Sequence, residues 1–128
     1  MSHPEAPLNV LGKPLQPCSF RPLTGYFRDG CCRTDPTDIG RHVVCVEVTK
    51  EFLEFSKLVG NDLSTPIPEF QFPGLQPGDS WCLCLMRWKE AHQAGCAPQV
   101  ILDACHQSTL KLIPLPVLEE HALLPDPI

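Results

Sequence analysis

The chain has 128 residues, 43% hydrophobic and 20% charged, with a formal net charge of −5, which predicts one soluble globular domain large enough to bury its own core. Its ten Lys and Arg are scattered and outnumbered by fifteen Asp and Glu, so nucleic acid is not an expected partner. No apolar run approaches the roughly 20 residues that span a bilayer, so the membrane is not expected either.

The opening MSHPEAPLNV carries two prolines and a glutamate where a secretory signal needs a basic stretch and an apolar centre. It predicts a tail over 1–7, a cytosolic location and reduced thiols. The globular part is expected over 8–124, with a second tail at 125–128. Of fifteen prolines, thirteen cluster at 4–22, 66–77 and 114–127, where they exclude helix interiors and central strands.

From Leu8 to Arg33, LTG, RDG and the prolines read as consecutive turns, and DPTDIG (35–40) as another. HVVCVEV (42–48) is β-branched and short, a strand. Strict alternation puts His42, Val44, Val46 and Val48 on one face and Val43, Cys45 and Glu47 on the other. Thr49 is a suitable N-cap for a helix over 50–59, which Gly60 stops. Residues 61–79 form a long irregular connection, pinned by aromatic and leucine side chains. Asp79 then predicts a second N-cap, with Trp81, Leu85, Trp88 and His92 on one helical face up to Gly95. VILDACH (100–106) predicts a second strand, and LPVLEEHALL (115–124) a last helix with Pro116 in its first turn. The fold class expected is α+β: a compact two-layer single domain with a small sheet, two to three helices and long Pro-rich ordered loops.

Eight cysteines and five histidines supply the candidate chemistry. Adjacent Cys31 and Cys32 could form a strained vicinal disulfide, and Arg28 and Arg33 could favour a thiolate there. The bland alternative is one buried sulfur beside one idle one. Zinc sites favour Cys-x2–4-Cys pairs. Here the pieces are Cys31–Cys32, His42-x2-Cys45 and Cys82-x-Cys84. If residues 80–94 are helical, the sulfurs of Cys82 and Cys84 diverge; if SWCLC is extended, they share a face. The helical reading weakens a metal site. His42 and His106 would meet if their two strands pair antiparallel, giving a ligand or acid–base pair near neutral pH. Cysteine nucleophile catalysis has histidines and carboxylates available, but no motif assigns them roles.

The stretches NVLGKPLQPCSFRPLTGYFRDGCC (9–32), FLEFSKLVGNDLSTP (52–66), FPGLQPGDSWCLC (72–84) and RWKEAHQAG (87–95) together resemble the largely bacterial family called domain of unknown function 2237. The resemblance covers nearly all of 8–123. It implies a compact two-layer α/β domain and carries no established activity, cofactor or catalytic residue. Cys18, Cys31, Cys32, Cys45, Cys82 and Cys84 match the family's cysteine positions, whereas Cys96 and Cys105 depart from them.

The function these readings favour is a binding module for a metal, with zinc the candidate, or a small ligand, with Cys31, Cys32, Cys45 and His42 as the metal set. Cys18, Cys82, Cys84, His106 and Arg28 complete the candidate residues. A thiol-dependent enzyme or redox protein is the first alternative. An interaction domain for a protein partner, with inert buried cysteines, is the second.

Overall fold

In the computed structural model, which describes residues 7–123, the β-branched run HVVCVE forms strand β1 (His42–Glu47) at the centre of a three-stranded antiparallel sheet. Apart from Pro7, the tails expected at 1–7 and 125–128 lie outside the described residues. Strand β1 is flanked by β2 (Ser80–Cys84) and β3 (Gln99–Val100). Val43, Val44, Cys45 and Val46 are all fully buried, so both faces of β1 are covered.

Thr49 caps helix α1 (Lys50–Leu58) as expected: its Oγ1 accepts from the Phe52 amide at 3.0 Å. Phe52 and Leu53 carry the apolar face into the core. The chain then runs irregularly through a short 3-10 turn at Pro68–Phe70 to β2. Helix α2 (Leu85–Gln93) follows without a break and packs against α1 and β1. Helix α3 (Leu115–Glu120) closes the fold, with proline in its first turn as predicted.

Two expectations need correction. The helix predicted from Ser80 begins only at Leu85; SWCLC is extended. Its pairing with β1, Cys82 against Cys45 and Trp81 against Val46, outweighs the local helical periodicity. Asp79 caps no helix; its Oδ2 closes the preceding turn by accepting from the Gln76 amide at 2.9 Å. Trp81 therefore leaves the helical stripe, while Leu85 and Trp88 stay buried in it. The strand predicted over 100–106 is reduced to two residues. Beyond it the chain folds into 3-10 turns at Leu102–Ala104 and Gln107–Lys111. Antiparallel pairing of β3 with β1 is nonetheless present, Val46 opposite Val100.

A bulge in β1 changes which residues share a face. His42 stands opposite Cys84, but Val44 stands opposite Leu83, so Val43 is an extra residue. Cys82 and Cys84 are two residues apart on β2 and share a face; their partners Cys45 and His42 therefore share it too. Strict alternation, which separates His42 from Cys45, fails at that one residue.

Candidate functional site

The cysteine face of the sheet is covered by residues 18–32. Disulfides Cys18–Cys45 and Cys32–Cys82 fasten this segment to β1 and β2, with Cα separations of 5.8 and 5.2 Å. The segment is folded around its own polar contacts. Gly30 O accepts from the Cys18 amide at 2.7 Å and the Ser19 amide at 3.1 Å. The hydroxyl of fully buried Thr24 accepts from the Cys82 amide at 2.9 Å. Gly25 sits at φ +101, where a side chain is strained and would also run into the Cys31 carbonyl.

The Cys82 amide points away from β1, toward Thr24, which makes Cys45 and Cys82 a non-hydrogen-bonded cross-strand pair. Side chains in such a pair stand closest together. The two disulfides are consequently neighbours: the sulfurs of Cys18, Cys32 and Cys82 lie within 4.8 Å of one another, and Cys45 is bonded to the first. Cys32, Cys45 and Cys82 are buried, and Cys18 is half-buried.

The expectation of reduced thiols is thus corrected for four of the eight cysteines. A vicinal Cys31–Cys32 bond is also excluded, since Cys32 bonds Cys82 and Cys31 is free. Nor do the arginines activate Cys31. Burial and the nearby Asp29 carboxylate raise its thiol pKa, against a smaller opposite effect of Arg33. Arg33 is tied to Asp29 at 2.6 Å. Arg28 turns away, donating to Leu23 O and Phe70 O and lying over the Trp81 ring. Cys105 is buried, its thiol pushed up to about 12, chiefly by desolvation. Cys84 and Cys96 are free and half-buried.

The two histidines that sequence placed together are separated in role. His106 does reach β1: its amide donates to Val43 O at 2.9 Å. The rings, however, are engaged differently. His42 Nδ1 donates to Asp38 Oδ1 at 2.7 Å, which leaves Nε2 as the free ring nitrogen. His106 Nδ1 accepts from the Ser108 amide at 3.0 Å, so its proton is on Nε2. Burial, then Lys111, lower the His106 pKa.

Asp38 is the residue that sequence reading missed. It is buried, and its carboxylate accepts from the Thr34 hydroxyl, the His42 amide and the His42 ring. The motif DPTDIG reads as a turn, and the signal available was that this turn carries a second carboxylate just ahead of a histidine. The His42 ring also lies close over Gly40, where a Cβ would stand 2.8 Å from Cε1. On its other side His42 lines a cavity of about 230 Å³ with Gly25, Tyr26, Arg28, Trp81 and Cys82.

Of the metal set suggested by sequence, Cys32 falls in the group of close sulfurs with Cys18 and Cys82, and Cys45 is attached to that group through its bond to Cys18, whereas Cys31 and His42 fall outside it. Among the described residues no helix is long and apolar enough to cross a membrane. The family profile described as "Uncharacterized protein conserved in bacteria (DUF2237)" matches residues 8–122. No curated protein matches the chain.

Proposed function

Since the chain belongs to the DUF2237 family, whose description assigns no activity, we propose its function from the sulfur cluster: a metal-binding module whose thiolate site is opened by reduction and closed by oxidation. One observation carries this reading: the sulfurs of Cys18, Cys32 and Cys82 lie within 4.8 Å of one another, and a fourth, that of Cys45, is bonded to Cys18. Tetrahedral zinc with Zn–S bonds of about 2.3 Å holds its sulfurs about 3.8 Å apart. The sulfurs of Cys18, Cys32 and Cys82 already lie within 4.8 Å; reduction frees the bonded pairs to part to the zinc spacing, and the Cys45 sulfur, released from Cys18, has to turn toward the other two.

The chemistry balances in two steps. A dithiol donor supplies two electrons and two protons to each disulfide and is itself oxidised to a disulfide. Zinc then displaces four thiol protons; four Zn–S bonds form and no electron moves. A disulfide oxidant reverses the first step and expels the ion.

The test is metal content of the full chain after anaerobic reduction and addition of zinc, with cobalt as a spectroscopic substitute. One equivalent bound by the reduced protein, and none by the oxidised protein, is expected. Cys32→Ser should abolish uptake and Cys31→Ser should leave it intact. If the reduced chain unfolds without metal, zinc-induced recovery of circular dichroism reads the same event. A reduced chain that takes up no zinc, or equal uptake by Cys32→Ser, overturns the proposal.

A second reading, thiol-dependent catalysis, is favoured by a separate observation. Free Cys84 stands opposite His42 across the ladder, and His42 is oriented by buried Asp38. Nucleophile, base and orienting carboxylate are the parts such chemistry needs. In its simplest form the Cys84 proton passes to His42, sulfur bonds an electrophilic carbon, and the leaving group departs with that proton. Alkylation by iodoacetamide, mapped by mass spectrometry, should then be fastest at Cys84 and slowed by His42→Gln. Equal rates at Cys31, Cys84 and Cys96 would remove this reading.

A further inference from the structure

A cleft of about 530 Å³ lies between the turn at 34–41 and the 3-10 turn that follows His106, lined by Asp38, Ile39, Arg41, His106, Ser108 and Lys111 among others. The sulfur cluster contributes nothing to it. We propose that this cleft binds a small ligand carrying a phosphate group, through Arg41, Lys111 and the Nε2–H of His106.

The three donors are of the right kind, and the backbone explains why they line one cleft. The His106 amide and the Thr109 hydroxyl both donate to Val43 O, which fastens the second turn to the start of β1. Arg41 is held at φ +50, a left-handed conformation that side-chain-bearing residues seldom adopt. It persists because its carbonyl accepts from the Val43 and Leu85 amides, each at 2.9 Å. Backbone strain maintained by such contacts is concentrated at ligand sites. His106 presents Nε2 as a donor because Nδ1 is occupied by the Ser108 amide.

The cleft's two cations are the groups left free to meet an anion. Among the described residues, neither Arg41 nor Lys111 is in an ion pair; the pairs are Arg33–Asp29, His42–Asp38 and Arg87–Glu90. Two carboxylates also line the cleft, each accepting hydrogen bonds from its own turn rather than pairing with Arg41 or Lys111. Asp38 accepts from Thr34 and from His42 twice, and Asp35 Oδ1 accepts from the Thr37 amide at 2.7 Å. A guanidinium fork, an ammonium and an imidazole N–H together suit the several acceptor oxygens of a tetrahedral oxyanion. The cleft exceeds the size of inorganic phosphate. Its apolar lip, Pro36 and the 93% exposed Ile39, suits a small apolar body attached through an ester oxygen.

Phenyl phosphate is the probe, with inorganic phosphate and phenylacetate as comparisons, followed by amide chemical shifts and calorimetry on the oxidised full chain. Shifts confined to residues 34–41 and 106–111 are expected, with phenyl phosphate binding tighter than either comparison. Arg41→Gln should weaken it about tenfold, the loss of one charge-assisted pair. Lys111→Gln, at an exposed position, gives a second measurement if the Arg41 variant does not fold, and should weaken binding severalfold. Shifts spread over all basic residues, no shifts at all, or unchanged affinity in Lys111→Gln would overturn the proposal. Zinc uptake by the reduced chain is unaffected in either case, so the two proposals fail separately.

Discussion

The sulfur cluster and the polar cleft both border β1, and they are assembled by different means. The cluster is apolar and cross-linked, with the covering segment bonded to both strands. The cleft is held by hydrogen bonds alone, from Asp38 on one side and from the amides and hydroxyls at 106–109 on the other. The difference is instructive about response. Covalent closure makes one site sensitive to reductant. Hydrogen-bonded closure makes the other sensitive to protons and indifferent to reductant.

The largest expected effect breaks the cross-linked side. The disulfides span 27 and 50 residues, and loop-closure entropy assigns about 4 kcal/mol to each, slightly more to the longer loop. Cys82→Ser should therefore lower the urea midpoint more than Cys18→Ser does. Excess reductant without metal should lower it further. Midpoints that ignore reductant would mean that these bonds do not constrain the chain in solution.

Next comes the hydrogen-bonded side. Asp38→Ala leaves a hydroxyl, an amide and an imidazole without their acceptor, at a cost of about 2–3 kcal/mol by denaturant titration. Zinc stoichiometry after reduction should be unchanged, which separates the two regions directly. A smaller reference effect lies away from both: Thr49→Ala removes the cap of α1 and costs about 1 kcal/mol in the same titration.

The smallest effect is the pH dependence of the cleft. Burial and Lys111 lower the folded pKa of His106 below 6.5, so the unfolded chain binds the proton more readily. Its contribution is complete above that pH and is lost as pH falls from there toward the folded value. The slope of stability against pH below neutrality should therefore be shallower in His106→Gln than in the unsubstituted chain. Equal slopes would show that this ring does not couple to folding.

Local chemistry made part of this fold readable in advance. β1 is a β-branched run, α1 begins at a capping threonine, and α3 carries proline where a first turn accepts it. Each depends on neighbours in sequence. β2 does not: Trp81, Leu85, Trp88 and His92 recur at helical spacing, and only pairing with β1 makes SWCLC extended. The condition set by sequence, that an extended SWCLC puts Cys82 and Cys84 on one face, is met. The sulfur cluster was illegible for the same reason. No short Cys-x-x-Cys spacing marks it, because two of its sulfurs come from paired strands and two from a distant covering segment. Asp38 was hidden by type: an aspartate in a turn gives no sign in sequence that its carboxylate is buried.

The arrangement of the two cross-links has a consequence for proteolysis. Cys18 and Cys32 stand near the ends of one segment, and their partners Cys45 and Cys82 both lie C-terminal to it. A protease that cuts once between residues 19 and 31 therefore releases nothing: the amino-terminal piece stays attached through Cys18. On a non-reducing gel such a nicked molecule migrates as one species, and it separates into two only when thiol is added.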